Sequence, residues 1–143
     1  MDSIKRRLGL AALTLVAAAT LPAVASAQGR EIKIAYALAP TSHYGVGAKA
    51  WADSVEAATQ GAFTFKHFPA SALGGERELL ESAQLGTVEA VIVSTGPVSN
   101  FVPDVGVTDI PFLFRDRDHA HKVLDGPIGQ ELLAKFPGRG LVA

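Results

Sequence analysis

The sequence predicts an α/β fold with a mainly parallel sheet. Segments of period-two alternation are separated by segments of helical spacing, in the order strand, helix, strand, helix, strand. The third strand, "VEAVIVS", is a near-continuous apolar run, as suits a strand covered on both faces of a parallel sheet. Breakers stand between the segments: Pro40, Gln60-Gly61 and Gly86.

The elements follow in order. Lys5, Arg6 and Arg7 precede the apolar run Leu8–Thr20, and Ala25-Ser26-Ala27 offers small residues for cleavage. Residues 1–27 therefore read as a secretory signal peptide cut before Gln28, which places the mature chain, residues 28–143, in the periplasm. In "EIKIAYAL", Ile32, Ile34 and Tyr36 alternate with Glu31, Lys33 and Ala35 as a strand ended by Pro40. Thr41 and Ser42 are candidate caps for a helix whose apolar face is Ala48, Trp51, Ala52, Val55 and Ala58. "AFTFKHF" is a second alternating strand, and Glu76–Leu85 a second helix with Leu79, Leu80 and Ala83 inward and Gly86 as its stop. Beyond "VEAVIVS" the pattern predicts a short helix or turn at Val98–Val102 and a strand near Val105–Ile110. Two helices follow, one capped by Asp116 or Asp118 and one opened by Pro127, with Ile128, Leu132, Leu133 and Phe136 on the apolar face of the second. "GRGLVA" reads as the start of a further strand. Trp51 and the phenylalanines at 63, 65, 68, 112 and 114 are expected in the core.

Composition narrows the function. The chain has 143 residues, no cysteine and a formal charge of −1, which gives no electrostatic footprint for nucleic acid. A cysteine-free exported chain relies on packing and not on disulfides. "LGGERELL" lacks the spacing of a phosphate-binding loop, and acidic residues in a helix's first turn favour the helix dipole and repel a phosphate. Glu78 fits that role alone, whereas Glu76, at the helix start beside the sheet's carboxyl edge, is also a candidate ligand contact. Ser94 and Thr95 follow a strand without a Gly-x-Ser-x-Gly elbow. They stand as a candidate nucleophile of an exported enzyme, as caps of the turn before Pro97, or as donors in a ligand crevice at the strand ends. His119 and His121 sit two apart on a helix, on different faces, and are expected in solvent. No metal-ligand spacing and no cofactor motif is present. Asp104 and Asp109 read as turn residues.

"FPASALGGERELLESAQLGTVE" and "STGPVSNFVPDVGVTDIPFLFRDRDHAHKVLDGPIGQELL" together resemble the extracytoplasmic solute-binding proteins of TRAP transporters, the C4-dicarboxylate-binding type. Leu-Gly-x-Glu-Arg-Glu, Leu-Gly-x-Val-Glu, Asp-x-Pro-Phe-Leu-Phe and His-Ala-x-Lys-Val occur in the family's order over residues 30–143. The resemblance implies a type II periplasmic-binding clamp of two lobes. It implies a non-enzyme that passes a small organic acid, dicarboxylate-like, to a two-subunit membrane permease. It places first-lobe contacts at Ala37, His43, Glu76, Ser94 and Thr95. The family's carboxylate-anchoring arginine lies beyond a strand that would begin at Gly140, so the chain is expected to be the N-terminal lobe, incomplete and without the second lobe. Arg77 is expected to point outward. A ligand-sensing lobe of a receptor is a further reading of the same pattern.

Overall fold

The computed structural model describes residues 29–143. The expected signal peptide and its cleavage site before Gln28 lie outside the described residues. Three parallel strands form one sheet in the order β2-β1-β3, where β1 is Arg30–Tyr36, β2 Phe63–Phe68 and β3 Ala90–Ile92. The central strand pairs Ile34 with His67 on one side and with Ala90 on the other. Tyr36 lies level with Ile92, so β1 and β3 end together at one edge. The helix α1, His43–Ala58, crosses from β1 to β2, and α2, Glu76–Gln84, returns toward β3. This is the expected βαβαβ unit.

Each helix covers one face of β1. Ile34 and Tyr36 pack with Ala48 of α1, joined by Phe65, Ala90 and Ile92. On the other face Ala35 packs with Leu79 of α2 and Val88. Two-sided burial explains why the alternation in β1 is not hydrophobic against polar: Ala35 is as buried as its neighbours. Full burial of a side chain such as Leu79 contributes about 1.5–3 kcal/mol.

Both ends of the first crossover are set locally. Ser42 caps α1 by accepting from the Gly45 N–H, as the sequence predicts. A Cβ on Gly45 would stand 2.1 Å from the Pro40 carbonyl oxygen, so only glycine lets α1 begin so close to the turn it leaves. Past α1, Gln60 and Gly61 take the left-handed backbone conformation and turn the chain into β2.

The second half keeps the two expected helices but departs from the sequence reading before and after them. The expected strand at Val105–Ile110 is a 3-10 helix, Pro103–Asp109. Pro103 supplies its first turn, and Val102 and Val105, three apart, both turn into the core. Valines that mimic a strand here serve a three-residue period. At Val98–Val102, where a short helix or turn is expected, α3, Thr95–Val98, ends and a turn follows. Only Ala90–Ile92 of "VEAVIVS" is strand. The last α-helices are α4, Arg117–Leu124, and α5, Pro127–Leu133, with Asp116 capping α4 through the His119 N–H and Pro127 opening α5. "GRGLVA" forms no strand: Pro137–Arg139 is a single 3-10 turn and Gly140 is left-handed. Leu141 then joins Leu80, Val98, Val102, Val105 and Phe136 in a third core cluster.

Several residues expected in the core are not there. Trp51 is half exposed, its ring edge-on to Phe65 at 4.9 Å, because α1 buries only its narrow Gly45–Ala48–Ala52 face. Ala58 is exposed, as are Phe63 at the sheet edge and Ile128 and Leu133 on α5. Phe112 is fully exposed at φ 58°, a left-handed conformation that turns its ring away from the core. His119 is half buried against Phe114 and not free in solvent.

Candidate functional site

In a parallel sheet the carboxyl ends of the strands turn into helix starts, and polar side chains collect there. In this chain that edge gathers the ends of β1 and β3 with the first turns of α1, α2 and α3. Glu76 is the hub. Its Oε1 accepts from the Ser94 N–H at 3.1 Å and from the Tyr44 hydroxyl at 3.3 Å, and its Oε2 accepts from the Ser94 hydroxyl. Ser94 has extended backbone, φ −76° and ψ 163°, yet its side chain caps nothing. The hydroxyl turns to Glu76 and leaves the helix that follows, so the reading of Ser94 as a turn cap gives way to one of cross-element bonding.

Thr95 takes a different partner. Its Oγ1 donates to the Asp109 carboxylate at the end of the 3-10 helix. Ala37 lies half buried just past β1, and its carbonyl accepts from Ser71 Oγ at 3.4 Å. His43 is exposed at the first position of α1, its ring edge-on to Tyr44 with centroids 4.7 Å apart. Of the five expected contacts, Glu76 and Ser94 are bonded to each other and Thr95 adjoins them in the chain. His43 reaches the group only through Tyr44, and Ala37 contributes backbone alone.

Two members of the cluster escaped the sequence reading. Tyr44 precedes the small-residue face of α1 and carries no motif, although its place in the first turn after β1 is the same signal that singled out His43. Asp109 looked like turn chemistry because its partner, Thr95, lies 14 residues away. Burial, and then the neighbouring Glu76 carboxylate, push the Tyr44 phenol above its ordinary value of 10.0.

The glycine turn before α2 is no phosphate cradle. Gly74 has φ 112°, and a Cβ on Gly74 or Gly75 would stand 2.9 Å from the Glu78 side chain, which folds over the turn. Arg77 points outward and pairs with Glu81 at 3.1 Å. Nucleophilic catalysis finds no relay either: the Ser94 and Thr95 hydroxyls bond to carboxylates and not to an imidazole. Cavities of about 450 and 550 Å³ flank β3, yet the first is lined mainly by apolar residues such as Leu80, Val98, Leu132 and Phe136, with Thr95 and Thr108, and the second mainly by Ile34, Ala48, Trp51 and Ile92, with Glu89. Those linings suit packing against other apolar groups and not an acid, so the polar edge is the better candidate site.

Residues 34–143 match the family model described as bacterial extracellular solute-binding protein, family 7. A solute-binding protein of Verminephrobacter eiseniae is 49% identical over 121 residues, covering 85% of this chain and 36% of the relative. The C4-dicarboxylate-binding periplasmic protein of Rhodobacter capsulatus is 35% identical, covering 93% of this chain and 39% of the relative. Among solved structures, a TRAP periplasmic solute-binding protein from a Polaromonas species, bound to D-erythronate, superposes with a TM-score of 0.77 at 56% identity, over 79% of this chain and 37% of that one. A sugar-acid-binding protein from Advenella mimigardefordensis, in complex with galactonate, gives 0.77 at 38% identity, over 80% of this chain and 37% of that one. The chain thus spans a little over a third of the length of the relatives it matches. With motif order, parallel βαβαβ topology and these likenesses in agreement, the chain belongs to the family 7 bacterial extracellular solute-binding proteins, those of TRAP transporters.

Proposed function

We propose that residues 1–27 direct export and are removed between Ala27 and Gln28, and that residues 28–143 form the first lobe of a two-lobed clamp in the periplasm. The whole protein captures a small hydroxylated carboxylic acid and delivers it to the two membrane subunits of a TRAP permease, without chemical turnover. The observation that carries this reading is the cluster of Tyr44, Glu76, Ser94, Thr95 and Asp109 at the carboxyl edge of the sheet in a member of this family. The ligands of similar proteins support the class: D-erythronate, galactonate and, in a Pseudomonas putida protein 42% identical, D-glucuronate. All three are polyhydroxylated monocarboxylates.

The first test is titration calorimetry with D-erythronate, D-glucuronate and succinate on a protein in which residues 28–143 are followed by a second lobe. Ser94→Ala or Glu76→Ala is expected to weaken the bound acid by about tenfold, the loss of one hydrogen bond to a charged group. Unchanged affinity in both variants would place the ligand elsewhere. Mass spectrometry of periplasmic material tests export; a product that keeps Met1 would overturn it.

A further inference from the structure

The Tyr36 ring belongs to the core, with 2% of the residue exposed. Among the described residues its hydroxyl has no hydrogen-bond partner, and no polar side-chain atom is sealed from solvent without one. The hydroxyl is therefore the part of Tyr36 that stays open, and it opens into a groove of about 420 Å³ between α1 and β2. A phenylalanine would fill the same core volume. The hydroxyl adds nothing to packing and costs desolvation unless a polar group outside the core meets it. Half-buried His67 lines the same groove, its ring edge-on to Tyr36 with centroids 6.2 Å apart. Among the described residues neither of its ring nitrogens has a partner.

The charges along the groove do not balance. Lys49 and Asp53 of α1 pair with each other at 2.7 Å. Glu56, a turn further on, spends Oε1 on the Phe65 N–H at 2.9 Å, which fixes its head against β2 and leaves Oε2 and one negative charge over. Phe65, held edge-on by Trp51 at 4.9 Å, supplies an aromatic wall beside that charge. A carboxylate next to an aromatic ring suits a protonated amine and repels an acid. The hydroxyl end of the groove is well separated from it. Phe65 pairs with Ile32, so Tyr36 lies four residues, or about 13 Å, further along the sheet. We propose that the groove between α1 and β2 binds an elongated amino alcohol, its ammonium donating to Glu56 Oε2 and its hydroxyl meeting Tyr36 Oη and His67. Glu56 lies near the end of α1, which runs back from the carboxyl edge of the sheet, so this site is separate from the Glu76 cluster and independent of the clamp reading.

The test is equilibrium dialysis of the full chain against labelled aminopentanol and against labelled hydroxypentanoate. The two share a carbon chain and a terminal hydroxyl and differ in the sign of the charge at the other end. The groove lies at the β2 edge of the sheet, so association of chains at β3 leaves it open to both. Aminopentanol is expected to bind more tightly by about tenfold or more, the worth of one charge-assisted hydrogen bond. Glu56→Gln keeps an oxygen for the Phe65 N–H and removes only the charge, and should weaken aminopentanol about tenfold. Tyr36→Phe keeps the ring and removes only the hydroxyl, and should weaken it several-fold. An excess of D-erythronate should leave bound aminopentanol in place. Equal binding of the two probes would overturn the assignment of an amine. Unchanged affinity in both variants, displacement by D-erythronate, or no binding of aminopentanol by the parent would overturn the site.

Discussion

At Glu76 a single carboxylate joins three segments that lie far apart in the chain, holding the turn after β3 and the start of α1 to the start of α2. Removing its charge while keeping its shape isolates one consequence. In Glu76→Gln the Tyr44 phenol loses the neighbouring negative charge, and its titration should move back toward 10.0, read by phenolate absorbance against Tyr44→Phe. The sign for stability follows. A phenol whose folded value is raised contributes stability that is whole below the unfolded value and is lost as pH rises through the folded one. Stability should therefore fall above about pH 10 in the parent and less in Tyr44→Phe. An unmoved phenol in Glu76→Gln would mean that the Tyr44–Glu76 contact is not made in solution. Glu89 shows the opposite case. The Lys33 N–H bonds to its carboxylate at 3.0 Å and holds it below its ordinary value of 4.5. That contribution is present above 4.5 and is lost as pH falls through the folded value, so Glu89→Gln should flatten the acid limb of the stability curve. The group is exposed, which keeps the effect small.

The helix α1 does two jobs at once: it covers Ile34 and Tyr36, and it presents His43 and Tyr44 at the sheet edge. Its position depends on the close approach of Gly45 to Pro40. Gly45→Ala would favour helix by propensity alone, yet here it should destabilise, because the added carbon meets backbone that cannot rotate away. It should also weaken ligand binding by shifting Tyr44. Denaturant midpoints and calorimetry on the same variant check both; a stabilised Gly45→Ala would show that the turn at Pro40 yields. On α2 the anchor is Leu79, fully buried against Ala35. Leu79→Ala should cost about 2–5 kcal/mol in unfolding free energy, since the sheet and helix cannot close the space it leaves.

The chain as a whole carries much apolar surface in water. Leu85, Ile110, Phe112, Ile128 and Val142 are all more than half exposed. The edge strand β3 is paired on one side only, and both of its faces border apolar cavities. A three-stranded sheet with an open apolar edge is a template for association. At about 25 cal/mol per Å², a few hundred Å² of such surface outweighs much of a small domain's net stability. The 143-residue chain by itself should therefore bind a hydrophobic dye and self-associate. It should show no calorimetric binding of plain dicarboxylates. A monomer with one sharp, cooperative thermal transition, or micromolar succinate binding, would contradict this.

The sequence by itself determined the first half of the fold. Ile32–Ile34–Tyr36, the Ser42 cap, the Gln60-Gly61 stop and the Leu79–Leu80 pair are local signals, and local signals survive in the tertiary structure because neighbouring elements agree with them. Motif order carried the family, and strand-end position singled out Glu76, Ser94 and Thr95. In the second half the Asp116 cap and the Pro127 start were legible too, but tertiary structure alone decided the stretch from Pro103 to Asp109 and the end of the chain. Val105, Val107, Thr108 and Ile110 suit a strand by propensity, but a strand needs a partner, whereas a three-residue period needs only the core cluster beside it. Aromatic residues expected inside, Trp51 and Phe112, are exposed because burial depends on which face a neighbour covers and not on hydrophobicity alone. Tyr44 and Asp109 joined the candidate cluster only when folding brought them to partners 32 and 14 positions away, a proximity that no spacing along the chain encodes.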